Sequence, residues 1–97
     1  MTSRQRAYLR SLASNIQPIY QVGKSIVTPE LTAGIDEALE ARELIKINVL
    51  KNCMDTPMNV ANIIAERTHS EVVQVIGKKI VLYRPSKTNP KIELKWL

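Results

Sequence analysis

Ninety-seven residues suffice for one small domain and leave little room for a second. An apolar fraction of 44% argues against a disordered chain, and with three tyrosines, one tryptophan and no phenylalanine the core must be built from Ile, Val, Leu and Ala. The formal charge of +5 is segregated: residues 30 to 43 hold five acids against Arg42, so the rest of the chain carries 13 bases and 4 acids, a balance that suits a polyanion partner.

Residues 3 to 14 read as a first helix. Thr2 or Ser3 can cap it, Gln5 completes a capping box, and Leu9, Leu12, Ala13 and Ile16 supply the inward stripe. Arg6 and Arg10 share another face with Arg4 nearby, which reads equally as a solubilising face or as an anion-facing edge. Pro18 ends any helix and opens a strand, Ile19 to Val22, which runs into Gly23-Lys24-Ser25. Thr28 and Pro29 then start a second helix as cap and first residue. A glycine, a lysine and a serine thus stand before the positive end of a helix, which is suitable chemistry for phosphate. On the second helix, Leu31, Ile35, Ala38, Leu39 and Arg42 fall on the helical stripe. Asp36, Glu37, Glu40 and Glu43 are expected outward. Gly34 costs about 1 kcal/mol relative to Ala inside a helix.

Leu44 to Leu50 is the clearest strand, with Ile45, Ile47 and Val49 alternating with Lys46 and Asn48. Thr56-Pro57 repeats the cap-and-proline start, and a third helix runs to about Thr68 with Val60, Ile63, Ile64 and Arg67 on its face. Val72 to Ile76 and Ile80 to Tyr83 flank Gly77-Lys78-Lys79 as a tight hairpin, which sets Val73 and Val75 on one face with Ile80 and Leu82. After Arg84-Pro85 the composition turns polar and basic. Residues 1–85 are therefore expected as the domain and 86–97 as a flexible tail, with Ile92 to Leu94 a candidate edge strand and Trp96 either packing back on the domain or stacking on a partner. The order α-β-α-β-α-β-β implies an α/β fold, a four-stranded mixed sheet with packed helices.

Little here suits catalysis. His69 and Cys53 have no partner nearby in sequence, and His69 reads as a helix-end residue. No Cys/His cluster has metal-ligand spacing, no phosphate loop of the Gly-x-x-x-x-Gly-Lys type exists, and no cofactor is expected. A lone cysteine excludes an internal disulfide and fits a reducing compartment. Without a secretory leader or an apolar run near 18 residues, the expectation is a soluble cytoplasmic protein with no membrane contact. A binding surface is the better reading, assembled from Gly23, Lys24, Ser25 and Thr28, the arginines Arg6 and Arg10, and the basic stretch Lys78, Lys79 and Arg84, with Lys87 beyond it. Tyr20 or Tyr83 could stack on a base. A glycine loop between strand and helix is similar to the way the KH module clamps a nucleic-acid backbone.

Longer runs make the resemblance specific. Leu9-Arg10-Ser11-Leu12-Ala13, Pro18-Ile19-Tyr20-Gln21-Val22-Gly23-Lys24, Ile35-Asp36-Glu37-Ala38-Leu39-Glu40, Glu43-Leu44-Ile45-Lys46 and Val73-Gln74-Val75-Ile76-Gly77-Lys78-Lys79-Ile80-Val81-Leu82-Tyr83-Arg84-Pro85 resemble the CRM domain, the chloroplast RNA splicing and ribosome maturation family, in its small bacterial YhbY-type form. The resemblance implies an RNA-binding domain similar in fold to the C-terminal domain of translation initiation factor three. In bacteria it implies association with precursors of the large ribosomal subunit; in plant organelles the family serves intron splicing. The family's Gly-x-x-Gly loop is incomplete here, since Ile26 holds the second glycine position and a β-branched residue resists positive φ and close phosphate approach. The rival expectations are an adaptor that docks on a ribosomal protein or assembly factor through the acidic face around Asp36, Glu37 and Glu40, and a small DNA-binding protein.

Overall fold

The computed structural model describes residues 1–24 and 27–95. Its elements are α1 (Ser3–Ala13), β1 (Pro18–Val22), α2 (Pro29–Arg42), β2 (Leu44–Val49), α3 (Pro57–Thr68), β3 (Glu71–Ile76) and β4 (Lys79–Tyr83), the order read from the sequence. Each helix starts on a threonine. Thr2 Oγ1 accepts the Gln5 N–H at 3.1 Å while the Gln5 side chain accepts the Thr2 N–H at 2.9 Å, which closes the capping box. Thr28 and Thr56 accept from Leu31 at 3.1 Å and Asn59 at 3.2 Å, each followed by the proline that cannot donate anyway.

The strands form one sheet in the order β1-β2-β4-β3. β1 and β2 are parallel neighbours joined through α2, whereas β4 runs antiparallel to both strands beside it. The last strand in sequence is thus inserted between β2 and β3. The connection between β3 and β4 is the two-residue loop Gly77-Lys78, with Gly77 at φ 55°, a conformation that suits glycine at the first central position of a tight hairpin.

The two faces of the sheet carry different cores. Val22, Ile45, Ile47, Ile80 and Leu82 bury against Ile35 and Leu39 of α2 and Val60, Ala61 and Ile64 of α3. On the other face Leu44, Val81 and Tyr83 bury against Leu9 and Ala13 of α1. The hairpin departs from the simple alternation expected of it. Val72 pairs with Leu82 and Gln74 with Val81, so Val73 is an extra, bulged residue. The bulge sends Val73 to the α1 face, while Val72 and Val75 pack with Ile80 and Leu82 on the other. On α3 the buried position expected for Arg67 belongs instead to Thr68, whose hydroxyl donates to the Ile64 carbonyl at 2.8 Å; Arg67 is exposed.

Residues 86–92 also depart from expectation, since they fold over the C-terminal end of α2 rather than trailing away. The helix stops at Glu43, held at φ 67°, which is strained for a residue with a Cβ. That turn carries the Glu43 carboxylate off the outer face and buries it completely, where it accepts the N–H groups of Ser86 at 2.8 Å, Lys91 at 2.7 Å and Ile92 at 2.9 Å. Ile92 and Leu94 pack against the α1-side core without forming a strand. Trp96 lies outside the described residues.

Candidate nucleic-acid interface

Three turns meet at one end of the sheet. β1 ends at Val22, whose carbonyl accepts the Leu50 N–H at 2.8 Å; β2 ends at Val49, whose N–H donates to the Lys78 carbonyl at 2.7 Å. The turns at Gly23-Lys24, at Leu50 to Cys53 and at Gly77-Lys78 are therefore neighbours. They carry the exposed side chains of Lys24, Lys51 and Lys78, with Lys79 at the start of β4. Four ammonium groups held on short, hydrogen-bonded turns make a positive rim for phosphate oxygens. Lys51 was not singled out in the sequence, because its position beside Lys24 depends on the parallel pairing of β1 and β2.

Gly23 packs closely on the next turn: a Cβ there would stand 3.2 Å from Asn52 Oδ1 and 3.4 Å from Leu50 Cδ1, a tight approach to which those side chains would have to yield. Ser25 and Ile26 lie outside the described residues. The helix end beyond them is less open to anions than its sequence suggested. Pro29 has no N–H, the Leu31 N–H is taken by Thr28 Oγ1, the Thr32 N–H by the Thr28 carbonyl, and Glu30 brings a negative charge into the first turn. Thr28 thus serves the helix as its cap, and Lys24 carries the electrostatic weight of this loop.

The arginines of α1 divide. Arg6 is half-buried, and one guanidinium nitrogen donates to the carbonyls of Val72 and Val73, at the bulge. It fastens α1 to β3. Arg10, one turn on, is exposed and lines a groove on the sheet with Ser14, Lys46, Gln74 and Lys79. Lys46 is a second residue that the sequence reading passed over as an interface residue, although its place in the alternation of β2 already set it on the face opposite Ile45 and Ile47.

Arg84 departs from the surface role expected of it. It is 7% exposed, and its guanidinium donates to the Asp36 carboxylate, to the Asp36 carbonyl at 3.1 Å and to the Thr68 carbonyl at 2.8 Å, with Glu40 at 3.8 Å. A cation so placed ties α2 to the end of α3 and has no face left for a phosphate. Glu40 and Glu43 at the end of α2 are engaged in the same way, whereas Glu37 is exposed. Glu40 accepts the Ser86 hydroxyl, the Lys87 N–H and both the N–H and hydroxyl of Thr88. The Ser86 bond foremost, with the Lys87 and Thr88 bonds, lowers its pKa to about 2 against the opposing effect of burial. Burial pushes the Glu43 carboxyl up, but the N–H groups of Ser86, Ile92 and Lys91 and the Lys91 charge outweigh it, leaving the pKa lowered. Of the two tyrosines considered for base stacking, one is buried and the other half-buried, whereas Tyr8 on α1 is exposed. Tyr83 is buried, with its pKa raised by burial and then by the charges of Glu43 and Glu93; Tyr20 lies across Gly34.

Among the described residues no group of three or more His, Cys, Asp or Glu side chains could hold a metal ion, and no helix is long and apolar enough to cross a membrane. Residues 1–84 match the model of the CRS1/YhbY (CRM) domain. The chain belongs to this family. CRM relatives span its length. The chain is 48% identical over 94 residues to the Bacillus subtilis protein named "Probable RNA-binding protein YqeI", covering 97% of this chain and 98% of that one. It is 35% identical over 94 residues to a Haemophilus influenzae protein named "RNA-binding protein", covering 97% and 94%. The solution structure of a hypothetical protein from Staphylococcus aureus superposes with a TM-score of 0.81 at 51% identity, covering 97% and 98%. The CRM match ends at residue 84, so the segment that Glu40 and Glu43 hold lies beyond it.

Proposed function

We propose that this CRM domain binds RNA, without catalysis, and serves assembly of the large ribosomal subunit by contacting ribosomal RNA in the cytoplasm, with ribosomal proteins as further neighbours. The observation that carries the reading is the meeting of Lys24, Lys51, Lys78 and Lys79 at one end of the sheet, on turns fixed by backbone hydrogen bonds. Lysines so placed neutralise phosphates and release counterions, which gives affinity without reading sequence. The names of the relatives from Bacillus subtilis and Haemophilus influenzae support RNA as the polyanion. Of the acidic face on which the adaptor reading rests, Glu40 is occupied by the segment after Pro85 and Asp36 pairs with Arg84, while Glu37 stays exposed.

Fluorescence anisotropy with a structured ribosomal RNA fragment and a matched DNA duplex, across a salt series, tests the reading. The RNA should bind more tightly than the DNA, with affinity falling steeply as salt rises. Lys24→Glu combined with Lys78→Glu should weaken RNA binding and flatten the salt slope by about 2. An unchanged affinity at low salt in that double variant would sink this surface as the interface.

A further inference from the structure

Helix α1 leaves the outer part of its face of the sheet uncovered. The strand register lays out that face in rows. The row Leu44–Tyr83 lies under α1. The next row, Lys46–Val81–Gln74, lies at its margin, and the row Gln21–Asn48–Lys79–Ile76 lies beyond it. In this outer row Gln21 and Lys79 are exposed, and Ile76 is 61% exposed, a large apolar side chain left in solvent on a sheet. Between α1 and these rows runs a groove of about 360 Å³, lined by Arg10, Ala13, Ser14, Lys46, Gln74, Ile76, Lys79 and Val81.

The lining has a definite chemistry. Ala13, Val81 and Ile76 make an apolar floor, and Arg10, Lys46 and Lys79 bring three cations with no acid among the lining residues. Lys46 and Lys79 are diagonal neighbours on β2 and β4, a placement that costs stability through repulsion. The described ion pairs all involve Arg84, so none of these three cations is neutralised by one. The Lys79 ammonium is steadied over the sheet by Asn48 Oδ1 at 3.2 Å. The groove also opens toward the lysine rim, because Lys79 belongs to both.

We propose that this groove receives one unpaired nucleotide of an RNA strand. Its phosphate meets Arg10, Lys46 and Lys79, its base lies on the exposed Ile76 beside the buried Val81, and the Gln74 amide, which can both donate and accept, reaches the base edge. A base still paired within a duplex cannot turn its face onto this floor, so the groove selects an unpaired residue beside a backbone held at the rim. The inference rests on the RNA-binding reading and adds to it a preference that charge alone does not give.

Two charge-neutral substitutions separate the groove from general attraction to phosphate. Ile76→Ser and Gln74→Ala alter an exposed and a half-buried side chain, and far-UV circular dichroism checks that each variant folds. Anisotropy would compare a single-stranded oligoribonucleotide with a fully paired RNA duplex of equal length. The expected result is about a tenfold loss of single-strand affinity in the double variant with duplex affinity unchanged, while Lys24→Glu weakens both. Equal effects of the groove variants on the two RNAs, or no effect on either, would overturn the groove while leaving the rim intact. A wild-type protein that bound neither RNA would overturn the RNA-binding reading and the groove with it.

Discussion

Gly34 shows how a single absent side chain joins two elements. A Cβ at this position would stand 2.6 Å from the Tyr20 hydroxyl and 3.0 Å from the ring carbon that bears it, so α2 approaches β1 through the space a side chain would fill. Alanine ordinarily improves a helix interior by about 1 kcal/mol over glycine. Here overpacking against a half-buried ring should exceed that gain, and Gly34→Ala should lower the urea midpoint. Tyr20→Phe in the same chain removes the nearest atom and should restore part of the loss. Additive effects of the two substitutions would count against the contact.

At the scale of elements, the segment from Ser86 to Ile92 is held by two carboxylates of the α2 end rather than by strand pairing. Glu40 makes this attachment sensitive to acid. Its pKa in the folded chain is about 2 against an ordinary 4.5, so the folded state favours the ionised form. The stability this gives is complete above pH 4.5 and is lost as pH falls toward 2. The difference in urea midpoint between wild type and Glu40→Gln should therefore be largest near neutrality and shrink below pH 4.5. A difference that stayed constant down to pH 2 would show that the carboxylate charge is not what holds the segment. The same attachment marks where sequence reasoning ran out. Helix starts, strands and hairpin were legible because threonine-proline caps, alternating Ile and Val, and a Gly-Lys turn are local signals. The burial of Glu43 and Arg84 was not, because a charged residue near a helix end reads as solvated until a distant segment supplies its partners. The bulge at Val73 escaped for a related reason: alternation of apolar residues holds on either side of it, and only the pairing with β4 reveals the extra residue. Of the proposed interface, Lys24, Lys78 and Lys79 were visible from turn chemistry and charge. Lys46 and Lys51 gained their meaning from which strands lie side by side.

Over the whole molecule, charge and packing are separated. Asp36, Glu40 and Glu43 are turned toward Arg84 and the segment after it, while the lysines of three turns gather at one end of the sheet. The sheet's central position for β4 has a consequence for the order of events in synthesis. Until residues 79 to 83 have been made, β3 has no neighbour to bond with and β2 has one edge open. A nascent chain leaving its ribosome therefore cannot complete this sheet from its first three strands, however long it waits. Release of the final strand, not of the first helix or the first strand pair, is the step that commits the chain. A fragment ending at Ile76 should lack cooperative thermal unfolding and regain it when a peptide spanning residues 77–95 is added, as circular dichroism would record. Cooperative unfolding of the fragment alone would contradict this order. The last strand to emerge is the one that every other part of the sheet has been waiting for.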